Sequence, residues 1–530
     1  MSRKKEILIL SFILLIGILV RFTNLTDNFF FGYDQARDVQ RIHDIVYEKD
    51  IKLVGPETDI PGVFNGSLLY YLLLPAYLLT NFNPNSASAL LLLINALGII
   101  IVYYGGRELF NSKVGLLAGF LWAISYQQAN YGRYISNTGL MPVFATLFFV
   151  GLGIWYVKKK DIGLILSVIG LSFSIHVGFY FIYLTLFYIL LWRKTNLKTI
   201  LISGLTALLL LLPFAIAELK FGFLTTRSLF GYFSGQSNLE NPLSTIITYL
   251  GSINTSLYYS FFSFNAFFLF LFFSGALVFV YINYRKTNQG KFLTIWALST
   301  LPLFAFKSGV LTGQSGQSSM IGAATIIFAL AIYMLLKSKK PVLGIIVLFL
   351  ILASNLSLFF KEQFKNSKLF SYQPITYRDE KELIDYTYNS SNDKFSVCAL
   401  TNPFFINTLW SSLYKIYGEK KFGYLPFWSG QKQYLNKTFL EYDKNHVNTR
   451  YLIIEPPSGI SPQSKMLTIY LEDRVSKLVE EKKFGSLIIQ KRQLLQGEKP
   501  LSTQKLTTEE INNINYINER DPRYSCFNSY

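Results

Sequence analysis

The chain predicts a mainly helical, polytopic membrane protein with a small α/β domain at its carboxyl end. Three observations lead there. Of 530 residues, 51% are hydrophobic and 15% charged, and the mean hydropathy is +0.32, which suits a membrane-embedded chain better than a large soluble core. Apolar runs recur from residue 6 to residue 360. Beyond Phe360 the composition turns polar and charged, with no further run of that kind.

In chain order, Ser2-Arg3-Lys4-Lys5 precedes an apolar stretch over 7–20. No small-residue cleavage site comes before Arg21, so the stretch reads as a retained first helix with its amino terminus inside. Further runs fall at 86–104, 114–126, 138–157, 162–177, 178–192, 199–216, 263–284, 292–306, 319–336 and 341–360, for about eleven spans in all. Basic clusters at Arg107/Lys113, Lys158/Lys159/Lys160, Arg193/Lys194/Lys198, Arg285/Lys286/Lys291 and Lys337/Lys339/Lys340 fall on the side of the amino terminus. The positive-inside bias then makes that side cytoplasmic and puts the carboxyl-terminal region outside.

This topology leaves three outer regions. The first, about 23–85, holds a polar helical stretch at 34–50, a Pro/Gly loop at 55–66, and an apolar piece at 68–79 that is too short to span and is expected at the interface. The second runs from Glu218 to about 262 and is rich in Ser, Asn, Tyr and Gly; the third covers 307–319, with Gly309, Gly313 and Gly316. Residues 1–360 therefore read as a membrane domain and 361–530 as an extracytoplasmic one. In the latter, strands are predicted at 395–400, 451–455 and 486–490, and helices at 378–389, 407–417 and 464–481. The net charge of +18 is accounted for largely by the inner loops and favours anionic membrane lipids, so a nucleic-acid partner is not called for. Cys398 and Cys526 lack metal-ligand spacing; they read as two free thiols, with one disulfide as the alternative if the domain is exported.

The segment Phe31-Gly32-Tyr33-Asp34-Gln35-Ala36-Arg37-Asp38 places two carboxylates on one helical face just after the first span. Asp34 is either a helix N-cap or a chemical carboxylate, and Asp38 is either a partner for Arg41 or a second reactive acid. Arg133, in Asn130-Tyr131-Gly132-Arg133-Tyr134, suits bidentate phosphate binding or snorkelling toward headgroups. His176, in Ser172-Phe173-Ser174-Ile175-His176-Val177-Gly178, is the one histidine among the predicted spans and reads as a satisfied buried group or a functional one. Glu218 suits sugar hydroxyls, a metal, or an ion pair with Lys220. Lys307 suits a phosphate or a plain flanking role. No Gly-rich nucleotide loop, HExxH, GxSxG or CxxC is present, which argues against nucleotide hydrolysis, zinc proteolysis and thiol redox chemistry.

Over about residues 6–360 the chain resembles membrane glycosyltransferases of the GT-C class, in particular the group of protein O-mannosyltransferases, aminoarabinose transferases and Rgt-type enzymes. The resemblance is carried by the first span, Phe31-Gly32-Tyr33-Asp34, Leu69-Tyr70-Tyr71-Leu72 after the Gly-rich loop, and Gly106-Arg107-Glu108-Leu109-Phe110. It implies a GT-C-like bundle with an acidic residue of the first outer loop at the reaction centre. Asp34 matches that position, with Asp38 as the second carboxylate. Arg133 matches a position where related chains often carry a basic residue. Tyr70, His176, Glu218 and Lys307 are then expected to meet substrate. His176 stands in a stretch where aminoarabinose transferases have Lys-Gly, a departure from the pattern.

The implied reaction moves a sugar from a polyprenyl-phosphate donor to a lipid, glycan or protein acceptor of the cell envelope. Asp34 would be the general base and Arg133, with His176 or Lys307, would stabilise the leaving phosphate. The resemblance commits to no cofactor, and a divalent metal at the carboxylates stays open. The alternatives are a lipid-linked glycan flippase, which needs no base, and an envelope glycan polymerase or ligase. Aromatic loops at 402–405 and 424–428 suit sugar stacking or ordinary core packing.

Overall fold

The structure, a computed structural model, describes residues 1–234, 242–263, 266–305, 316–362, 375–391, 393–402, 406–430, 438–444, 447–456, 460 and 462–495. The chain divides into two compact units. One comprises Met1–Leu25, Ile51–Pro75 and Ser86–Lys365; the other comprises Thr26–Asp50, Ala76–Asn85 and Asn366–Tyr530. The division therefore does not run at residue 360 alone, because two stretches of the first outer loop cluster with carboxyl-terminal residues.

The first unit is a helical bundle. Among the described residues, five helices are long and apolar enough to cross a membrane: Pro84–Leu109, Asn137–Tyr156, Leu197–Lys220, Ser318–Lys337 and Pro341–Lys361. The count of about eleven spans is not confirmed. The run at 178–192 breaks into a 3₁₀ turn, Phe179–Thr185, and a short helix, Leu186–Leu190, after Gly178 leaves helical geometry. The run at 292–306 divides into the helix Asn288–Ala297 and the 3₁₀ turn Leu301–Ala305, where Pro302 lacks the N–H needed to continue a helix.

Side chains sort these helices by depth. Every residue from Ser318 to Ile332 is buried, so the helix Ser318–Lys337 is the bundle's centre. By contrast, Leu197–Lys220 buries only Ser203 and Ala217, leaving an apolar surface suited to lipid. Met141–Tyr156 and Ile162–Val177 approach backbone to backbone through glycines. A Cβ added at Gly151, Gly163 or Gly170 would stand 2.4 Å from a facing backbone nitrogen. Strands β1 (Val54–Glu57) and β2 (Phe64–Gly66) form an antiparallel hairpin in the same unit.

The second unit is built on a five-stranded sheet. Its strands are β3 (Ser396–Leu400), β4 (Phe427–Trp428), β5 (Thr449–Ile454), β6 (Ser476–Phe484) and β7 (Leu487–Leu494), in the order β4-β3-β5-β7-β6. β4, β3 and β5 are parallel, and β7 and β6 complete the sheet antiparallel. Ser396-Val397-Cys398-Ala399-Leu400 is buried throughout, as a parallel strand covered on both faces must be. The helix expected at 464–481 is Pro462–Val475, and Ser476 opens β6 instead. From there Lys477 to Lys483 pair with β7, and the ladder overrides helical propensity. Cys398 is disulfide-bonded, which corrects the reading of free thiols; Cys526, the other cysteine, lies outside the described residues.

Residues 26–50 of the first outer loop contribute to this unit's core. Phe29 stacks on Tyr377 at 5.5 Å, with Phe31 at 5.6 Å on the same ring. The Tyr377 amide donates to the Phe29 carbonyl at 2.9 Å, and Lys381 pairs with Asp27 at 2.9 Å. The helix Tyr33–His43 packs against the helix Thr408–Leu413, where the Ser412 hydroxyl donates to the Ala36 carbonyl at 3.4 Å.

Candidate active site

The helix Tyr33–His43 begins at Gly32, whose amide donates to the Gln35 side chain at 2.9 Å. Asp34 is thus a first-turn residue and not the N-cap; an acid there is favoured by the helix dipole. Ala36, Val39 and Ile42 are buried, which turns Asp38 inward with them and leaves Asp34 at the rim. The Asp34 side chain keeps 52% of its surface exposed, whereas that of Asp38 keeps 4%.

Arg37 joins the two acids. Its Nη1 donates to Asp34 at 2.8 Å, and its Nε and Nη2 donate to one Asp38 oxygen at 3.0 and 2.9 Å. Arg41, the partner expected for Asp38, instead lies 3.6 Å from Asp44. Burial is the largest influence on Asp38 and raises its pKa from 3.8 to about 6; Arg37 opposes the rise and Asp34 adds to it. Arg37 is absent from the residues expected at the site, although its spacing is a usable signal: a cation three residues after one acid and directly before the other.

The remaining predicted residues belong to the first unit, apart from Lys307, which lies outside the described residues. Arg133 is buried, 1% exposed, and does not snorkel. Its Nε and Nη2 donate to the Arg21 carbonyl at 3.2 and 3.0 Å, and Nη2 also reaches the Thr23 carbonyl. It therefore closes the carboxyl end of the helix Arg3–Phe22. Arg21 does the same for the helix Ser112–Ile124: its guanidinium donates to the carbonyls of Ala123 (2.9 Å) and Trp122 (3.3 Å), and to Asn95 (2.8 Å).

His176 is buried, with Nε2 2.8 Å from the Leu210 carbonyl. Gly66 of β2 lies so close that a Cβ there would come within 1.9 Å of His176 Nδ1. Glu218 accepts from the amides of Thr225 (3.0 Å) and Thr226 (3.1 Å) and from the Thr226 hydroxyl (2.7 Å), so it caps the helix Leu224–Ser234 and does not pair with Lys220. Tyr70 is 3% exposed, a core side chain of the helix Leu68–Leu79. Asp34, Arg37 and Asp38 are thus brought together, while Arg133, His176, Glu218 and Tyr70 hold separate positions within their unit.

Of the aromatic loops, Trp428 is 2% exposed and belongs to the core, and the half-buried Tyr424 packs on Tyr388 at 5.0 Å; residues 403–405 lie outside the described set. No group of three His, Cys, Asp or Glu stands together among the described residues.

No protein-family model matches the chain, and no curated protein does. Solved structures do. ArnT from Cupriavidus metallidurans bound to undecaprenyl phosphate superposes with a TM-score of 0.60 at 10% identity, covering 91% of this chain and 97% of that one. The oligosaccharyltransferase of Archaeoglobus fulgidus in its apo form gives 0.47 at 14% identity and covers 80% of this chain; the chain spans 64% of that protein's length. The likeness to ArnT, at 10% identity, shows the fold alone: the chain shares the fold of that protein over nearly its whole length.

Proposed function

We propose that the protein transfers a sugar from a polyprenyl-phosphate-linked donor to a cell-envelope acceptor on the outer side of the membrane. One observation carries the reading: a GT-C fold presents, just after its first helix, a half-exposed carboxylate held by an arginine that is itself anchored on a buried carboxylate. The undecaprenyl phosphate bound by ArnT supports the donor class.

Asp34 is the general base, because a base must meet the acceptor and Asp34 is the accessible acid. It takes the proton of the acceptor hydroxyl as the oxygen attacks the anomeric carbon, and the bond to the lipid phosphate breaks. Asp38 is too buried to touch substrate; it is a positioning residue that fixes Arg37. Arg133 serves the bundle and not the phosphate, since its donors already meet main-chain carbonyls. The leaving phosphate is left to the other two groups expected there, His176 and Lys307, the latter outside the described residues. A disulfide at Cys398 fits an oxidising compartment and hence an outer location for the carboxyl-terminal domain, with the amino terminus cytoplasmic.

The test is a product assay by mass spectrometry with purified protein, a panel of polyprenyl-phosphate sugars and an envelope extract. Asp34→Asn should lose transfer by roughly 100-fold or more, the scale of general-base catalysis, and still bind donor. Normal turnover in that variant would remove the base assignment. Lipid-linked glycan movement without any sugar transfer would favour the flippase alternative.

A further inference from the structure

Within the second unit, an open cleft of about 450 Å³ is bordered by His43, Tyr47, Phe82, Lys415, Glu419 and Lys420. It lies at the far end of the helix that carries Asp34. Nine residues separate Asp34 from His43, about 13 Å along the axis and roughly half a revolution around it, so the cleft is distinct from the carboxylate site.

The lining has two characters. Phe82, 4% exposed, makes an aromatic floor; His43 packs on it at 5.7 Å and on Tyr47 at 4.4 Å. Tyr47 keeps 61% of its surface exposed at the lip, an unusual position for a ring that already has two aromatic neighbours. Around these rings stand long charged groups of both signs. Lys415 pairs with Glu419 at 2.7 Å, and Lys420 lies over the Phe82 ring at 5.9 Å and donates to the Asn81 carbonyl. The backbone is also strained here: Asn81 and Phe82 have φ of 52° and 59°, a left-handed pair that is costly for a bulky ring and tends to be kept where a site needs it.

A pyranose has the matching two-sided chemistry. Its axial C–H face is apolar and stacks on an aromatic ring, while its rim carries hydroxyls that both donate and accept. Lys415 and Lys420 supply donors and Glu419 an acceptor at the border of the ring-lined floor. A lipid chain would use none of this polar border, although Lys415 and Glu419 satisfy each other without a ligand. We propose that the cleft is a saccharide-binding subsite that holds the glycan part of the acceptor away from the reaction centre. Its assignment to the acceptor rests on the transferase reading above.

The experiment places the full-length, detergent-solubilised protein on an array of neutral and acidic oligosaccharides, with transfer assayed in parallel. The wild type should bind a subset of the saccharides. Tyr47→Ala should weaken that binding roughly five- to tenfold, and Tyr47→Phe should keep it, because stacking survives without the hydroxyl. An unchanged melting temperature in both variants is expected from the exposure of Tyr47. An array left blank by the wild type, or binding equal in wild type and Tyr47→Ala, overturns the subsite. Tyr47-dependent binding without any transfer would instead remove the transferase reading and keep the cleft as a saccharide site; transfer with a blank array would do the reverse.

Discussion

At Asp38, burial and charge act in opposite directions, and burial wins: the carboxyl titrates near 6 despite the arginine on it. This fixes the sign for stability. The folded protein holds this proton more tightly than the unfolded chain, so the contribution is complete below about pH 4 and is lost as pH rises through about 6. A displacement of that size corresponds to about 3 kcal/mol. Glu455 behaves alike: burial raises it to about 7, against the Asn402 amide and the Trp410 indole N–H that favour its charged form. Thermal stability should therefore fall from pH 4 to pH 7. Asp38→Asn, which preserves the oxygen that Arg37 uses, should flatten the lower part of that profile, as calorimetry at successive pH values will show. Glu380 adds a third case. It is 1% exposed, and neither side-chain oxygen has a hydrogen-bond partner among the described residues, so Glu380→Met should raise the melting temperature at neutral pH. The local sequence could locate the acids of 34–38 but not rank them, because side-chain depth depends on what covers the helix; the family resemblance is what singled out Asp34.

Elements were legible where one period dominated and obscure where two segments competed. The apolar runs over 86–104 and 319–336 became the long helices Pro84–Leu109 and Ser318–Lys337, since hydropathy over such lengths admits one solution. The segment 464–481 misled because its charged second half suits a helix surface as well as an exposed strand, and only pairing with β7 decides. His176 shows the same limit from the other side. Its neighbour Gly66 is 110 residues earlier in the chain, and nothing local couples them. That contact yields a prediction: Gly66→Ala forces a Cβ into the His176 ring and should destabilise the hairpin's seat by about 1–3 kcal/mol. Adding His176→Ala should recover part of the loss, though not all, because the His176 Cα is also only 2.8 Å from that Cβ. Melting temperatures of the two single variants and the double variant complete the cycle.

Across the whole molecule, membrane character was read from composition alone, and the fold class agrees with the ArnT likeness. Where the chain changes from one compact unit to the other was less visible. Composition shifts at 360, yet residues 26–50 cluster with the carboxyl-terminal residues, because Phe29, Phe31 and Asp27 find their partners at Tyr377 and Lys381. A chain ended at residue 360 should therefore fail in a specific way. Residues 26–50 should become open to limited proteolysis, and transfer should be lost; a truncated protein with a protected loop and full activity would contradict this.

The two buried arginines carry a consequence for how the protein is made. Arg21 emerges on the ribosome within the first helix; one of its protons goes to the Gly17 carbonyl of that same helix, but its other acceptors lie 74, 101 and 102 residues later, and Arg133, which closes that helix, comes 112 residues after it. At ordinary translation speeds the first helix waits about 5–20 s with that cation only partly matched and the Arg21 carbonyl not yet met by Arg133. Over that interval it is a provisional tenant of the membrane, able to shift or be withdrawn. The first helix is therefore expected to settle in place only once residue 133 has arrived, a delay set by the spacing of two arginines.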